Sequence, residues 1–504
     1  MYSNLFSILS RLSSKLPSGR RFPETFIHNA LTIRSYSAFP YSISLTQSTA
    51  SVVSQLDKWV EDGNKVKGAE LKRIIRNLRN RGKASNALEV SEWTYKNGNC
   101  RFSPSDHAVQ LDLVGKVRGP DAAESYFNNM SDQQKNEKTY GALLNCYVRE
   151  RLMDKSLSHI QTMKEKGCAS TVLTYNDLMS LYANLGQYEK VPDVLAEMKE
   201  NGVSPDHFSY RTCIISYGIR SKISEMEMIL EEMKGQDHIE MDWKTYSVVA
   251  KYYLKAGLTD KAMVALKGLE QQLDKLEKKP DLAYNHLISL YASLGRKTEV
   301  LRFWELKKAA CSKCLNQDYM TMLDALVKLG ELEEAKSFLK EWESCGNNYD
   351  FRVPNTLLIG FCEKGLVEEA EALLEDIAKS GKTPIPNSWS ILASGYVGKK
   401  EMLKAVECMK KALSAYVGNE GWKPKPKLIT SILGWVGDEG KVEDVETLVG
   451  LLKDVVPIDA EMYHALLKAN LREGKEVDEL LKNMKADGID EDEETKNILS
   501  SRQN

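Results

Sequence analysis

The chain has 504 residues, of which 42% are apolar and 28% charged, and its formal net charge is −2. That composition is ordinary for a soluble protein, and no uninterrupted apolar run reaches the roughly 18 residues of a membrane helix, so a membrane role is not expected. Near-neutrality argues against a polyanion binder held by bulk charge, although a local basic groove is compatible with it.

Residues 1–36 differ from the rest. Arg11, Lys15, Arg20, Arg21 and Arg34 stand against one acid, Glu24, among serines and scattered leucines and phenylalanines, which is the composition of an organelle transit peptide. Arg34-Ser35-Tyr36-Ser37-Ala38 resembles the processing site of plant mitochondrial presequences and predicts cleavage after Tyr36. A disordered basic tail and a chloroplast leader are the alternatives. Removing the segment takes away five positive charges and one negative, leaving about −6. The nine cysteines, scattered and odd in number, suit reduced thiols in the mitochondrial matrix. Residues 37–66 are expected to be a linker or cap.

Over 67–136 helical units are expected, though degenerate ones. Leu71, Ile74, Ile75 and Leu78 form an apolar stripe, with Lys72, Arg76, Arg79 and Lys83 on the opposite face and Arg73 and Arg81 beside them. Cations at that spacing can track a phosphate backbone, and they can equally be a solvated helix face. A short unit is expected from about 106 to 136.

From 137 onward one unit repeats. Tyr140, Tyr175, Tyr210, Tyr246, Tyr284 and Tyr319 recur about every 35 residues, with Trp389 and Tyr463 continuing the series. A glycine follows about eleven places later at Gly186, Gly257, Gly295, Gly330, Gly365, Gly440 and Gly474. With the aromatic as fourth residue, repeats begin at Glu137, Val172, His207, Trp243, Asp281, Asn316, Phe351, Pro386, Pro426 and Ala460. Tyr175, Leu178, Leu181, Tyr182 and Leu185 have helical spacing, and after Gly186 so do Val191, Val194, Leu195 and Met198. A lone helical hairpin cannot bury its apolar face, so the hairpins must stack. Residues 137–490 are assigned to this array and 491–504 to an acidic tail.

The 35-residue length, Thr174-Tyr175-Asn176, the mid-unit glycine and the Gly202-Val203-Ser204-Pro205-Asp206 ending resemble pentatricopeptide repeats over residues 67 to 500. The resemblance implies an all-α, right-handed superhelical solenoid of about 12 stacked helix-turn-helix repeats of the P-type, plant and mitochondrial. It further implies single-stranded or ribosomal RNA as partner, read along the concave groove by the fifth and last residues of each repeat. Carried over, Asn176 with Asp206 resembles the pairing associated with uracil. The other pairs fit badly: Gly141 with Thr171, Arg211 with Asp242, Ser247 with Pro280, Asn285 with Leu315, Met320 with Asp350, Asn355 with Ile385, Ser390 with Lys425, and Thr430 with Val455 or its neighbours. Asn176, Asp206, Asn285, Asn355, Ser247 and Ser390 are thus the candidate base contacts. Lys72, Arg73, Arg76, Arg79, Lys83 and Arg211 are the candidate phosphate contacts.

So incomplete a code, on an acidic chain, also suits a peripheral scaffold of the mitochondrial ribosome that contacts ribosomal proteins. Cys311 and Cys314 lack the second pair a zinc site needs, the seven histidines are dispersed, and no catalytic motif is visible. Neither a cofactor nor an enzymatic activity is expected.

Overall fold

The computed structural model describes residues 52–62, 66–97, 101–276, 281–311, 313–416 and 421–500. The repeat beginning at Val172 shows how the sequence makes a hairpin. Its first helix, Val172–Asn184, opens on Thr171, whose hydroxyl accepts the backbone N–H of Thr174 and satisfies a donor that the helix start leaves open. Tyr175, Leu178, Met179 and Leu181 are buried. The chain reverses at Gly186, φ 75°, and its second helix, Val191–Glu200, buries Val191, Val194, Leu195 and Met198.

The recurring tyrosine ties the two ends of the hairpin together. Tyr175 accepts a hydrogen bond from Asn201 Nδ2, just past the second helix, at 3.0 Å. At the same place in their own repeats, the Tyr319 hydroxyl meets Cys345 Sγ at 2.9 Å and Tyr463 donates to Asp487 at 2.5 Å. A phenol spans the hairpin through its apolar core and carries a polar tip for the far side. Tyr246 does otherwise: its ring lies on Gly268, where a Cβ would come within 2.3 Å of it.

The described residues hold helices and loops and no strand. At nine of the ten expected starts from Glu137 to Ala460 the first helix begins on that residue; the exception begins at Arg352. Two compact bodies divide after Thr212. In the first, the first helices Pro104–Arg118, Glu137–Arg149 and Val172–Asn184 pack in succession. In the second, Trp243–Lys255, Asp281–Ser293, Asn316–Leu329, Arg352–Glu363, Pro386–Lys399, Pro426–Glu439 and Ala460–Arg472 do the same. Each helix also packs on the second helix of its own repeat, which is the stacking the lone hairpin demanded.

The turn between helices needs one left-handed residue, and the expected glycine supplies it at Gly186, Gly257, Gly295, Gly330, Gly365 and Gly474. Gly440 departs, with φ −78°. The three repeats that lack a glycine there force Arg151, Ser221 and Lys400 into the same region, at φ 58°, 58° and 63°.

The ends hold more helix than expected. Within the expected linker or cap, Val52–Glu61 packs against Ala84–Lys96 as a cap does, with Leu56 fully buried and Asp57 accepting the Trp93 indole N–H at 2.6 Å. The short early unit opens at Pro104, not 106, because Ser103 and Asp106 form a capping box. His107 thereby takes the tyrosine's place, buried between Tyr126 (2.8 Å) and Gln134 (3.1 Å). The expected acidic tail contains the helix Glu493–Ser500, which packs on Ala460–Arg472 and buries Thr495 and Ile498. Asp492 caps it through the Thr495 N–H. The leader and its cleavage after Tyr36 lie outside the described residues.

Candidate nucleic-acid interface

In the repeats that carry Lys72, Asn176, Asn285 and Asn355, the fifth residue is bound to the third residue of the next. Asn176 Oδ1 accepts Ser209 Oγ at 2.6 Å, Asn285 Nδ2 donates to Asp318 at 2.9 Å, and Asn355 Oδ1 accepts Ser388 Oγ at 2.8 Å. Lys72 makes the same rung with Asp106 at 2.8 Å. The three asparagines are 7%, 8% and 3% exposed, so each amide is largely spent on holding neighbouring repeats in register. What remains is Asn285 Oδ1 and Asn355 Nδ2, both buried without a partner among the described residues. Such groups are costly, and a hydrogen-bonding ligand would relieve them.

Asp206 has two tasks. It accepts Asn176 Nδ2 at 3.1 Å and also the backbone N–H groups of Phe208 and Ser209, capping the next helix. Burial would raise its carboxyl, but those N–H groups, the amide and the Ser209 hydroxyl outweigh it and hold the group below the usual carboxylate range. Asp242 and Asp459 cap helices in the same way, so an aspartate closing a repeat has a structural reason apart from any ligand.

The remaining expected contacts scatter. Ser247 Oγ lies 2.7 Å from His286 Nδ1, and burial lowers the His286 pKa. Ser390, 6% exposed, lines a cleft of about 700 Å³ together with Asn387, Ser394 and Lys425. The rung is missing there because the third residue of the next repeat is the apolar Leu428. Arg211 is half-buried with its guanidinium 6.0 Å from the Phe208 ring.

The basic helix Gly68–Asn80 buries Leu71, Ile74, Ile75 and Leu78 as its stripe requires. Its cations are unequal. Lys72 and Arg79 hold Asp106 and Asp112 of the adjacent first helix, the second pair at 3.1 Å, and Arg73 lies 3.8 Å from Glu70. Arg76, Arg81 and Lys83 are exposed and carry no carboxylate partner among the described residues.

Two features escaped the sequence. Leu173, Phe208 and Leu282, each the second residue of its repeat, are 72%, 40% and 60% exposed; their recurrence at one place was a signal that could have found them. Lys307 is fully buried with Nζ 2.9 Å from Asp318, so the Asn285 rung is anchored on a buried ion pair.

Models of the PPR repeat family match residues 170–218, of the pentatricopeptide repeat domain residues 128–185, and of the PPR repeat residues 208–238, 282–308, 318–347 and 353–381. A mitochondrial pentatricopeptide repeat-containing protein of Arabidopsis thaliana is 50% identical over 454 residues, 90% of this chain and 92% of the relative. Large ribosomal subunit protein mL101 of the same plant is 42% identical over 450 residues, 89% of this chain and 91% of that one. The crystal structure of the maize pentatricopeptide repeat protein PPR10 superposes with a TM-score of 0.45 at 19% identity, over 92% of this chain and 65% of that one.

Proposed function

We propose that this chain, which belongs to the pentatricopeptide repeat family, holds single-stranded RNA along the face of its first helices and acts without catalysis in RNA metabolism or translation in the mitochondrial matrix. It does so as a P-type array. The observation that carries the proposal is the alignment of two features at fixed places in the repeats. An exposed apolar side chain at the second place (Leu173, Phe208, Leu282) offers a base a surface to stack on, and a polar group at the fifth place stands beside it. Asn176 with Asp206 is the best base contact, and Arg76 and Lys83 the best phosphate contacts. The mitochondrial assignment is supported by the relative named mitochondrial at 50% identity.

A second reading is favoured by a specific observation: the relative at 42% identity over nearly its whole length is a protein of the large ribosomal subunit. In that reading the array is a shaped surface on ribosomal RNA and protein, and the rungs are structural alone. Crosslinking to RNA followed by sequencing tests both. A narrow set of messenger sites is the expected result for the first reading, contacts confined to ribosomal RNA carry the second, and no RNA contact removes both.

A further inference from the structure

A cleft of about 420 Å³ opens on the first helices Pro104–Arg118, Glu137–Arg149 and Val172–Asn184. Its floor is small, since Ala108 and Gly141 hold the fifth places of their repeats and a Cβ built on Gly141 meets nothing within 4 Å. The wall carries Asp177, whose Oδ1 accepts Asn145 Nδ2 at 3.1 Å; no other side-chain bond to Asp177 is present among the described residues. Burial pushes its carboxyl up to about 6, against the Asn145 bond, which lowers it. A carboxylate with spare acceptor capacity in a cleft is stabilised by a ligand that brings donors.

The other charged groups facing this cleft are Arg79, Asp112, Lys116, Glu137 and Lys138. Asp112 is occupied by Arg79, Lys116 and Arg149, whereas among the described residues Lys138 Nζ holds only the neutral Ser105 hydroxyl at 2.9 Å. Leu173 stands exposed on the lining. An acceptor wall, an apolar platform and two charges without an ion pair among the described residues, Lys138 and Glu137, thus surround an open floor.

We propose that this cleft receives one guanine base of single-stranded RNA, with Asp177 accepting from the guanine N1–H and N2–H, Leu173 against the ring and Lys138 near the phosphate. Of the four bases, guanine alone presents two adjacent donors on its pairing edge; the others set a single donor group beside an acceptor, which a carboxylate repels. The assignment rests on the RNA reading above. It uses the sixth and ninth places of neighbouring repeats, not the fifth and last, and it fills the stretch where the fifth places are blank.

The test uses the full chain and short oligouridylates carrying a single guanine, placed at each position in turn, or inosine, which lacks only the 2-amino group. In fluorescence anisotropy at neutral pH the guanine oligomer should bind about tenfold more tightly than its inosine counterpart. Asp177→Asn should abolish that ratio, chiefly by weakening the guanine oligomer, and Gly141→Leu, which fills the floor, should weaken the guanine and inosine oligomers alike relative to unsubstituted oligouridylate. Equal affinity of the native chain for the two oligomers, or a D177N variant that keeps the ratio, overturns the guanine site and leaves RNA binding standing. Absence of binding to every oligomer overturns both.

Discussion

Asp177 and Asp206 belong to the same repeat and are pulled in opposite directions. Hydrogen-bond donors hold the Asp206 carboxyl below its ordinary value, so the stability it contributes is present above the unfolded-state value and is lost as pH falls through the folded one. Asp177 is raised to about 6 from 3.8: the folded chain keeps that proton longer than the unfolded chain does, so stability falls as pH rises across this window. Asp177→Asn should therefore stabilise the fold at neutral pH by about 1–3 kcal/mol, with the gain vanishing below about pH 4. Urea denaturation at the two pH values measures it. Asn176→Ala removes the bonds to Asp206 and Ser209 together and should cost about 1–3 kcal/mol as well as weaken binding to uracil-containing RNA. Unchanged RNA affinity with lowered stability would leave Asn176 a structural rung only. Asn176 was legible because it holds a fixed place in the period. Asp177 was not, because its setting is made one repeat earlier by the Asn145 amide and the open space at Gly141, and no local pattern in its own repeat registers a neighbour's missing side chain.

At the scale of the helix, the period was readable because two markers repeat in phase, and the structure gives each a cause: the tyrosine spans the hairpin and the glycine turns it. The same period could not say what happens when a marker is absent. Arg151, Ser221 and Lys400 show that stacking overrides the cost of a left-handed non-glycine residue, which implies strain that a substitution can release. Lys400→Gly should raise stability by about 1 kcal/mol, read as a higher urea midpoint; a lower midpoint would mean that the Lys400 side chain contributes more than its backbone costs. Glycines within the first helices work differently. A Cβ on Gly360 would lie 2.4 Å from a Val327 methyl, so successive helices approach closely only because it is absent. Gly360→Ala should cost about 1–3 kcal/mol, seen as a lower midpoint without loss of helical circular dichroism in the native baseline. The terminal helices Val52–Glu61 and Glu493–Ser500 were missed for a related reason. Each is a single helix without a hairpin partner among the described residues, and a 35-residue period gives no sign of half a unit.

Across the whole molecule, charge separates an RNA held by bases from one held by phosphates. The chain is nearly neutral, and much of its basic helix is already answered within the protein, Lys72 by Asp106 and Arg79 by Asp112. Arg76, Arg81 and Lys83 remain for phosphates. Each phosphate contact to a single strand contributes a slope of about −0.7 to log affinity against log salt, so these three with Lys138 give about −3, far shallower than a binder held by charge alone. Affinity for an oligouridylate, titrated across salt concentrations, should show that shallow slope. Changing Arg76, Arg81 and Lys83 together to alanine should flatten it to about −0.7, the share of Lys138, while leaving the preference for guanine over inosine intact, because backbone contacts position the strand and base contacts select it. A slope that survives the triple substitution in full would make the cluster a solvated helix face and move the phosphate path elsewhere on the first helices.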